Sequence, residues 1–421
     1  MDYDVLVVGA GIFGLATAYH VMEANPKLKI ALVDMRGDVG QGATAKSAGG
    51  FRNLFTSETN RMLADSSINF YLSIQEGGRD LGMELVGYLI LRSKYQFEEI
   101  KEAALQMEKE GKLRIYRKEE LKEMIDMNFD FDGDEEAEIL GVKNVDYGLF
   151  GPKCGHIDAD KLAYFYRDEL KAGGAEFIFN TRVEGIIVEP EVKLGIPREP
   201  RAWQKVKFAG VKTNKGVIKA DKLVIAAGGW TQELLNPLGI ECLARPKKRQ
   251  IFTIRPRTEE QKALFHTQGF NDYGVLPMTF LPTGHYFRVD RRDGTFWMGF
   301  SDYYRPFSTD ENPEENYYYD NIYPIIVKYF PQFEDVRIDN MWAGLYAINY
   351  VDENPVVFRR SNMVVATGGS GSGILKGDAV GRLAAALLLD KEYAELYGGY
   401  KMPSDKLEVR GRRLEPERFV F

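Results

Sequence analysis

Cysteine, histidine and long apolar runs are all scarce in this sequence. Its 421 residues include two cysteines, Cys154 and Cys242, and four histidines. The two thiols show no metal-ligand spacing, so they predict no zinc site and favour a reduced, intracellular protein. No apolar run approaches the roughly 18 residues of a membrane span, and the first strand begins too early to leave room for a signal peptide. We therefore expect a cytoplasmic protein with no transmembrane segment and no metal site.

An excess of basic residues is also missing. The 55 lysines and arginines against 62 aspartates and glutamates give a net charge of −7. This overall field does not favour nucleic acid as a partner. The hydrophobic fraction of 44% is ample for a packed core, and the length predicts two or three domains.

The most specific pattern that is present lies at the start of the chain. An apolar, β-branched run over residues 4–8 leads into the glycine motif of residues 9–14, and a helical pattern follows over 15–24. A second strand, predicted over 29–33, ends at Asp34, whose carboxylate can accept hydrogen bonds from a ribose. This order predicts a bound dinucleotide in preference to a purely structural glycine turn.

The three glycines of this motif have separate tasks. Gly9 allows a tight turn, Gly11 leaves room for a pyrophosphate to approach the backbone, and Gly14 lets the helix pack closely on the strand. The unpaired N–H groups and the dipole at the helix N-terminus would hold the phosphates.

Two more runs of small residues are predicted to border the same site. The run over 40–52 ends in Arg52, and the run over 367–375 joins a predicted buried strand, 363–366, to a helix that starts near residue 377. In a doubly wound sheet the second run would set a positive helix end against a group that becomes negative during turnover, such as a reduced flavin. Arg52 would bind a carboxylate bidentately. The alternatives are an ordinary close-packed turn over 367–375 and a surface ion pair for Arg52.

The remaining pattern predicts further helices and two groups of strands. Helices are expected over 56–81, 96–126, 158–172 and 320–330, and strands over 84–92, 176–179, 181–188, 206–211, 216–220, 222–227, 250–254, 285–289, 295–300 and 338–346. The short strands between residues 245 and 304 predict an antiparallel, substrate-side sheet. Residues 130–138 are expected to form a solvated acidic loop, and 189–201 a hairpin excursion. The charged tail from Tyr397 is expected to lie on the surface or to carry a subunit contact.

Together these motifs resemble the D-amino-acid-oxidase-like superfamily of FAD oxidoreductases. The segments that carry the resemblance are 7–14, 42–52, 155–158, 224–230, 342–346 with 352–355, and 366–373, so it covers nearly the whole chain. Within the superfamily, residues 50–55 and 343–347 are most similar to the branch of dye-linked L-proline dehydrogenases and sarcosine oxidases.

The resemblance implies an α/β fold with two domains. A Rossmann-like FAD-binding domain of the glutathione-reductase type would be built from three chain segments, 1–86, 152–235 and 339–421. A substrate domain of the α+β type, with an antiparallel sheet, would be built from the two insertions, 87–151 and 236–338.

The resemblance also implies the composition of the site. Arg52 would anchor the substrate carboxylate, while Tyr286 and Tyr346 would close the pocket or hydrogen-bond the substrate, unless they are core aromatics of the sheet. Val183 would contact the adenine side through its backbone, and residues 371–375 would cradle the flavin ring. The residues expected to bind FAD are Gly9, Gly11, Ile12, Phe13, Gly14, Asp34, Arg36, Thr44, Ala45, Ser47, Gly49, Gly50, Val183, Ala227, Gly228, Trp230, Gly344, Gly371, Ser372, Gly373, Ile374 and Leu375.

Three departures from the family pattern narrow the prediction. No cysteine follows Cys242, where sarcosine oxidases usually attach their flavin, so FAD should be bound non-covalently. The lysine that helps to hold the carboxylate in those enzymes aligns with Leu375, with Lys376 one step off. The lysine that promotes reaction with oxygen appears here as Trp297, which favours a dehydrogenase over an oxidase.

The resulting hypothesis is an FAD-dependent dehydrogenase. An amino acid or secondary amine, similar to L-proline or sarcosine, would bind through its carboxylate to Arg52, and hydride transfer to FAD would leave an imine without the help of a side-chain base. The electrons would pass to an acceptor other than oxygen, such as a quinone or a dye. Peripheral attachment to a membrane through that acceptor, a partner subunit and an oligomer all stay open.

Two alternatives remain at this point. The same fold could oxidise a 2-hydroxy acid or glycerol 3-phosphate, which needs a base for the hydroxyl proton. His285 or His156 would then have to lie over the flavin, although their places in a strand and a turn predict structural roles, and Arg288 could assist the carboxylate or pair with Asp290. The chain could also be the flavin subunit of a larger electron-transfer complex.

Overall fold

The computed structural model describes residues 2–415 and residue 417. Its strands are β1 (Tyr3–Val8), β2 (Ile30–Val33), β3 (Gly50–Phe51), β4 (Tyr88–Arg92), β5 (Arg114–Arg117), β6 (Tyr147–Gly151), β7 (Gly155–His156), β8 (Glu176–Ile178), β9 (Val183–Pro190), β10 (Val206–Thr213), β11 (Gly216–Ile225), β12 (Ala244–Ile254), β13 (Met278–Phe280), β14 (His285–Asp290), β15 (Thr295–Phe300), β16 (Ile338–Asn349), β17 (Val356–Arg360), β18 (Met363–Thr367), β19 (Tyr393–Glu395) and β20 (Lys401–Pro403). Its α-helices are α1 (Ile12–Ala24), α2 (Glu58–Glu76), α3 (Lys94–Lys109), α4 (Lys118–Met124), α5 (Glu135–Ile139), α6 (Ala159–Ala172), α7 (Thr231–Leu235), α8 (Glu259–Ala263), α9 (Glu315–Tyr317), α10 (Tyr323–Tyr329) and α11 (Gly373–Leu388). A π-helical segment, Tyr318–Ile322, joins α9 to α10.

The first sheet is organised around β1, which lies between two parallel neighbours. β1 pairs with β11 on one side and with β2 on the other, in the order β17-β18-β11-β1-β2-β8, and the hairpin β9-β10 is attached to β11. Val5 and Val7 pack into a core with α1, α2, α6 and α11, whereas Leu6 and Val8 belong to a second core on the other face. Because both faces of β1 are buried, its sequence is continuously apolar.

The second sheet contains the short strands of the middle of the chain. Its order is β16-β12-β15-β14-β13-β4-β6-β5, and every pair is antiparallel except β4 with β13. Phe252, Phe287 and Phe296 from its strands pack in an aromatic core with Tyr329 of α10 and with Phe333. This core buries one face of the second sheet.

The predicted fold class is confirmed, because a doubly wound α/β sheet is combined with a mainly antiparallel second sheet. The division of the chain into two domains at the expected boundaries stays a prediction. One strand cuts across it, since β16 falls in the segment 339–421 but pairs with β12 of the second sheet along its length.

The predicted helix over 96–126 is wrong in its second half. α3 ends at Lys109, and Gly111 then has a φ of 69°, which breaks the helix. The chain next forms β5, which pairs with β6, before α4 begins. The prediction failed because charged, solvated residues occupy both the helices and the edge strand, and the pairing of β5 is a non-local contact.

Other boundaries also differ from the prediction. The acidic segment 130–138 is not wholly a loop, because α5 starts within it under the cap of the Asp134 carboxylate. α2 ends at Glu76 rather than near residue 81, since two glycines follow. The strands expected over 216–220 and 222–227 form the single strand β11, and α11 begins at Gly373 rather than near residue 377.

The described part of the C-terminal tail, which was expected on the surface, makes side-chain contacts with the body of the protein. Arg412 forms a buried ion pair with Asp352, with 2.7 Å between Nε and Oδ2. Glu415 accepts a hydrogen bond from the backbone N–H of Thr59 at 3.0 Å, and this N–H belongs to the first turn of α2. Among the helices of residues 2–415, none combines the length and the apolar character that crossing a membrane requires.

A buried carboxylate joins the helices that cover the first sheet. Oδ1 of Asp378 in α11 lies 2.6 Å from Nε2 of His20 in α1, and its Oδ2 accepts a hydrogen bond from Nε of Arg382 at 2.6 Å. The hydroxyl of Tyr166 in α6 donates to the same carboxylate at 3.2 Å, and the Asp378 N–H donates to the hydroxyl of Tyr71 in α2 at 3.0 Å. Burial alone raises the pKa of Asp378, but His20 and Arg382 hold it below its usual value.

We expect Asp378→Asn to destabilise the protein by about 3 kcal/mol at pH 7, because Arg382 and His20 lose their buried anion. Since the folded-state pKa of Asp378 is depressed, its contribution is present above the usual aspartate pKa and is lost as the pH falls through the folded-state pKa. Urea unfolding from pH 7 down to pH 3, with excess FAD, should therefore show the difference from wild type shrinking.

The matched control is Asp168→Asn, which removes the partly exposed ion pairs of this carboxylate with Arg79 and Arg167. Such a pair contributes less than about 1 kcal/mol. Equal losses in the two variants would contradict a special role for the buried carboxylate.

Candidate cofactor and substrate site

The turn between β1 and α1 has no space for side chains at two of its glycines. Gly9 has a φ of 104°, and a Cβ there would collide with the carbonyl group of Ala226. A Cβ at Gly14 would collide with the carbonyl oxygen of Gly9. At Gly11, by contrast, a Cβ would meet only the hydroxyl oxygen of Thr44, at 3.4 Å. Gly9 and Gly14 therefore build the turn, whereas Gly11 keeps the approach to the N-terminus of α1 clear.

An elongated cavity lies at the carboxyl ends of β1, β2, β11 and β18. The loops after these strands form its walls, as expected for the ligand site of an open α/β sheet. Of the residues predicted to bind FAD, the walls contain Gly9, Gly11, Ile12, Phe13, Asp34, Arg36, Thr44, Ser47, Val183, Ala227, Gly228, Trp230, Gly371, Gly373 and Ile374. The remaining ones, Gly14, Ala45, Gly49, Gly50, Gly344, Ser372 and Leu375, do not form part of the walls.

One end of the cavity holds an acidic and a basic side chain that the protein already positions. The Asp34 carboxylate accepts the backbone N–H groups of Ala10 at 2.7 Å and of Arg36 at 2.8 Å, and it keeps lone pairs for a ribose. The Arg36 guanidinium lies 5.9 Å from the ring centroid of Trp230 and forms an ion pair with Glu311. These groups suit the adenosine half of a dinucleotide.

Two helix N-termini open on the cavity. Neither Gly11 at the start of α1 nor Ser372 at the start of α11 caps its helix with a side chain, although the Ile12 N–H donates to the Thr44 hydroxyl at 3.1 Å. Free N–H groups and the helix dipole favour negative charge. The first helix end suits a pyrophosphate and the second suits a ring that becomes anionic, so the residues fit FAD, which supplies a hydride-accepting flavin ring when bound.

Tyr346 belongs both to the second sheet and to the walls of the cavity. It stands on β16 and lines the cavity beside Gly371, where a Cβ would lie only 2.6 Å from the Tyr346 ring. The guanidinium of Arg249 on β12 is 5.6 Å from the same ring centroid. Burial raises the pKa of Tyr346, so its phenol stays protonated and can donate a hydrogen bond.

Arg52 follows β3, a two-residue strand that pairs with β7. Its Nη1 donates to the carbonyl of Leu54 at 3.0 Å, and its guanidinium lies 4.4 Å from the ring centroid of Phe55. Burial lowers the pKa of Arg52 to about 10, while Tyr88 and Glu417 act in the opposite direction. The half-buried guanidinium therefore keeps its charge at neutral pH, and its partial burial strengthens its attraction for a carboxylate.

Tyr88 is a residue of this region that sequence reasoning missed. Burial raises the pKa of its phenol, and Arg52, Tyr346 and Arg288 all act on it electrostatically. Tyr346 and Tyr88 likewise act electrostatically on the pKa of Tyr286. The three phenols and Arg52 therefore lie close to one another. Tyr88 belongs to an apolar strand, and no local pattern distinguishes a functional phenol there from a core aromatic.

The two histidines of interest have structural partners. Nδ1 of His285 is hydrogen-bonded to the Thr283 hydroxyl at 2.9 Å, and its Nε2 is hydrogen-bonded to the Asn321 carbonyl at 2.7 Å. Burial lowers the pKa of His285 to about 4. Burial, followed by the field of Arg288, lowers the pKa of His156 to about 3. Neither is a base suited to neutral pH.

Arg288 pairs with Asp290, which is one of the two roles predicted for it. Its Nη2 lies 3.2 Å from the Asp290 carboxylate, and its guanidinium stacks 3.8 Å from the ring centroid of Trp297. Trp297 also packs edge to face with Trp342, at 4.8 Å between centroids.

We expect Gly11→Ala to weaken FAD binding by at least about tenfold, roughly 1.4 kcal/mol, without destabilising the apoprotein. The reason is that its Cβ meets only Thr44 but enters the path of the phosphates. Fluorescence titration of the apoprotein with FAD and thermal unfolding of the apoprotein measure the two effects. Gly14→Ala is the matched comparison and should destabilise the apoprotein itself; identical behaviour of both variants would contradict the assignment.

Comparison with known proteins finds relatives along nearly the whole chain. FAD-dependent oxidoreductase domain-containing protein 1 of Xenopus laevis is 24% identical over 431 residues, covering 94% of this chain and 80% of the relative. Glycine oxidase of Pseudomonas aeruginosa is 25% identical over 410 residues, covering 93% of this chain and 96% of the relative.

Solved structures share the fold. L-Proline dehydrogenase from P. horikoshii has a TM-score of 0.74 at 22% identity, covering 98% of this chain and 99% of its own. Glycine oxidase from Geobacillus kaustophilus has a TM-score of 0.69 at 20% identity, covering 93% of this chain and 95% of its own.

The profile of the family described as FAD dependent oxidoreductase (DAO) matches residues 4–387. That span contains both large sheets and all the cavity walls described above. The resemblance predicted from the sequence motifs is thereby confirmed. This chain belongs to the DAO family of FAD-dependent oxidoreductases, and FAD is its cofactor.

Proposed function

We propose that this protein is a dehydrogenase that oxidises an amino acid or a secondary amine to an imine. FAD is bound non-covalently and accepts a hydride from the carbon next to the nitrogen, and the electrons then pass to an acceptor other than oxygen, such as a quinone. The substrate carboxylate binds Arg52, and the phenols of Tyr88, Tyr286 and Tyr346 close the pocket.

The observation that carries the proposal is the half-buried guanidinium of Arg52, which acts electrostatically on the phenol of Tyr88. Arg52 and Tyr286 do not themselves form part of the cavity walls, whereas Tyr346 does. The side chain of Arg52 is half-buried, and this burial lowers its pKa to about 10, so the guanidinium keeps its charge at neutral pH. An anion that approaches it would form charge-assisted hydrogen bonds in a setting of low dielectric constant. An amino acid held there by its carboxylate could present its Cα to the flavin.

The names of the relatives agree with an amine or amino-acid substrate. The similar structures include an L-proline dehydrogenase, glycine oxidases and an iminodiacetate oxidase, all of which act on a carbon that bears nitrogen and are named for that activity. A glycine oxidase is also among the sequence relatives. We extend this substrate class to the present chain as part of the proposal.

Two features support non-covalent FAD and a non-oxygen acceptor. Cys154 and Cys242 are buried and neither lies in the walls of the cavity, so no thiol there is available for attachment to the ring. The sequence resemblance aligns Trp297 with the lysine that promotes reaction with oxygen in the related oxidases, and the nearby Arg288 cation pairs with Asp290.

The competing substrate class, a 2-hydroxy acid or glycerol 3-phosphate, lacks support from the histidines. Hydroxyl oxidation needs a base, and His285 or His156 was the base expected from the sequence, but His285 hydrogen-bonds to structural partners through both nitrogens. His156 is held uncharged by burial with a pKa of about 3, far below the value a base needs at neutral pH.

The first test is an anaerobic titration of the flavin absorbance with L-proline, sarcosine, D-alanine, L-2-hydroxyglutarate and glycerol 3-phosphate in turn. Bleaching by one of the amines supports the proposal. Bleaching by a hydroxy compound alone, or by none of the five, would overturn it. Rapid reoxidation of the reduced protein by oxygen would overturn the dehydrogenase assignment only.

We expect Arg52→Ala to raise the substrate concentration for half-maximal flavin reduction by about two orders of magnitude. A charge-assisted bidentate contact contributes roughly 2 to 4 kcal/mol. Arg52→Lys should recover part of the loss, because a lysine retains the charge but not the planar fork. The control is Arg255→Ala, which removes an exposed partner of Asp339 on the second sheet. An unchanged half-saturation value in Arg52→Ala would make the arginine structural.

A further inference from the structure

Lys376 is a buried, basic side chain close to Arg52 that the proposed function does not use. Lys376 lies in the first turn of α11 and its side chain is 2% exposed. Its Nζ is 4.8 Å from the ring centroid of Phe55, the same ring that carries the Arg52 guanidinium at 4.4 Å. Lys376 therefore lies near the proposed carboxylate anchor and two residues after Ile374, which is the last residue of this loop in the cavity walls.

The surroundings of Nζ do not provide the ion pair that a buried lysine normally has. Within residues 2–415 and 417, no carboxylate lies within 4.0 Å of it. The charged and titratable groups on the surrounding elements are Arg52 after β3, Asp352 and Glu353 after β16, Glu417 of the tail, Tyr71 of α2 and Asp378 of α11 itself.

Three of the four nearby carboxylates are bound to other groups, and the fourth, Glu353, is exposed to solvent. Asp352 pairs with Arg412, and Glu417 accepts the backbone N–H groups of Thr56 at 2.8 Å and of Ser57 at 3.2 Å. The positive end of α11 and the charge of Arg52 both oppose protonation of Lys376. Burial, followed by Arg52, accordingly lowers the pKa of Lys376 to about 7.

The proposed reaction needs a group of this kind. An amino acid arrives with its nitrogen protonated, and hydride can leave the neighbouring carbon only after the nitrogen has regained its lone pair. Burial raises the pKa of the phenols of Tyr88, Tyr286 and Tyr346, so they hold their protons. The histidines are committed or too weakly basic, as described above.

We propose that Lys376 is the general base of this site, and that its uncharged Nζ takes the proton that the substrate ammonium loses before hydride transfer. This inference rests on the proposed amine oxidation. One N–H bond of the ammonium breaks and one N–H bond forms on Nζ. Hydride then leaves Cα for the flavin with both electrons of the C–H bond, which gives a protonated imine and a two-electron-reduced cofactor. Lys376 returns its proton to solvent before the next turnover.

The experiment compares wild type with Lys376→Met and Lys376→Arg by stopped-flow flavin reduction under anaerobic conditions from pH 6 to pH 10. Wild type should hold a plateau that falls below pH about 7, the pKa of Lys376. At neutral pH both variants should be slower by about 100-fold or more, the usual contribution of a general base. Their rates should then rise tenfold per pH unit toward the pKa of the free amine, because only substrate that enters uncharged can react.

A second measurement distinguishes a general base from a residue that only binds the substrate carboxylate. Tetrahydrofuran-2-carboxylate has the shape of proline but no nitrogen, and its binding shifts the flavin spectrum without turnover. Lys376→Arg should bind this probe within about threefold of wild type. Calorimetry in two buffers should detect proton uptake with the wild type and none with Lys376→Met. Lys161→Met, which removes an exposed partner of Asp80, is the control for folding and FAD content.

The outcomes are distinct. Full-rate reduction in Lys376→Arg, or a wild-type pH profile in Lys376→Met, would overturn the role of Lys376 and leave the proposed function intact. Failure of every amine to reduce the wild-type flavin would overturn the proposed function itself, and with it the role of Lys376.

Discussion

The close approach of α1 to β1 is the contact on which the rest of this structure depends. It exists because Gly9 adopts a positive φ and because neither Gly9 nor Gly14 carries a Cβ that would strike neighbouring carbonyl groups. The approach brings the open N-terminus of α1 to the carboxyl end of the central strand. Helix end, strand end and the loops of β2, β11 and β18 then share one edge, and the FAD cavity lies along it.

The second sheet completes the site by covering the ring end of that cavity. β12 and β16 bring Arg249 and Tyr346 against the glycine loop before α11, while β4 and β14 contribute Tyr88 and Tyr286. The long aromatic core behind this sheet makes it a rigid support. The proposed reacting region thus combines segments that are far apart in the chain.

The charged side chains in the interior of this protein have two different kinds of surroundings. Asp378 is surrounded by hydrogen-bonding partners from three helices, so its charge stabilises the packing of the first core. Arg52 and Lys376 instead share one aromatic ring and lie close to carboxylates that are engaged elsewhere. Cations that lie this close to a cofactor cavity favour a binding site over a purely structural core.

The sequence by itself determined the family, the cofactor, the central strands and the glycine turns, because each of these depends on a short local pattern. A run of apolar residues, a glycine without a Cβ and an acidic residue at a strand end carry their physical reason within a few positions. The tertiary structure alone decided which residues meet at the ring end. From the sequence, Tyr88 was indistinguishable from a core residue of an apolar strand, and Lys376 was one position away from the expected carboxylate-binding lysine. The charged tail was expected on the surface. Burial and the electric field of distant neighbours set their roles, and both depend on contacts between segments that no local pattern records.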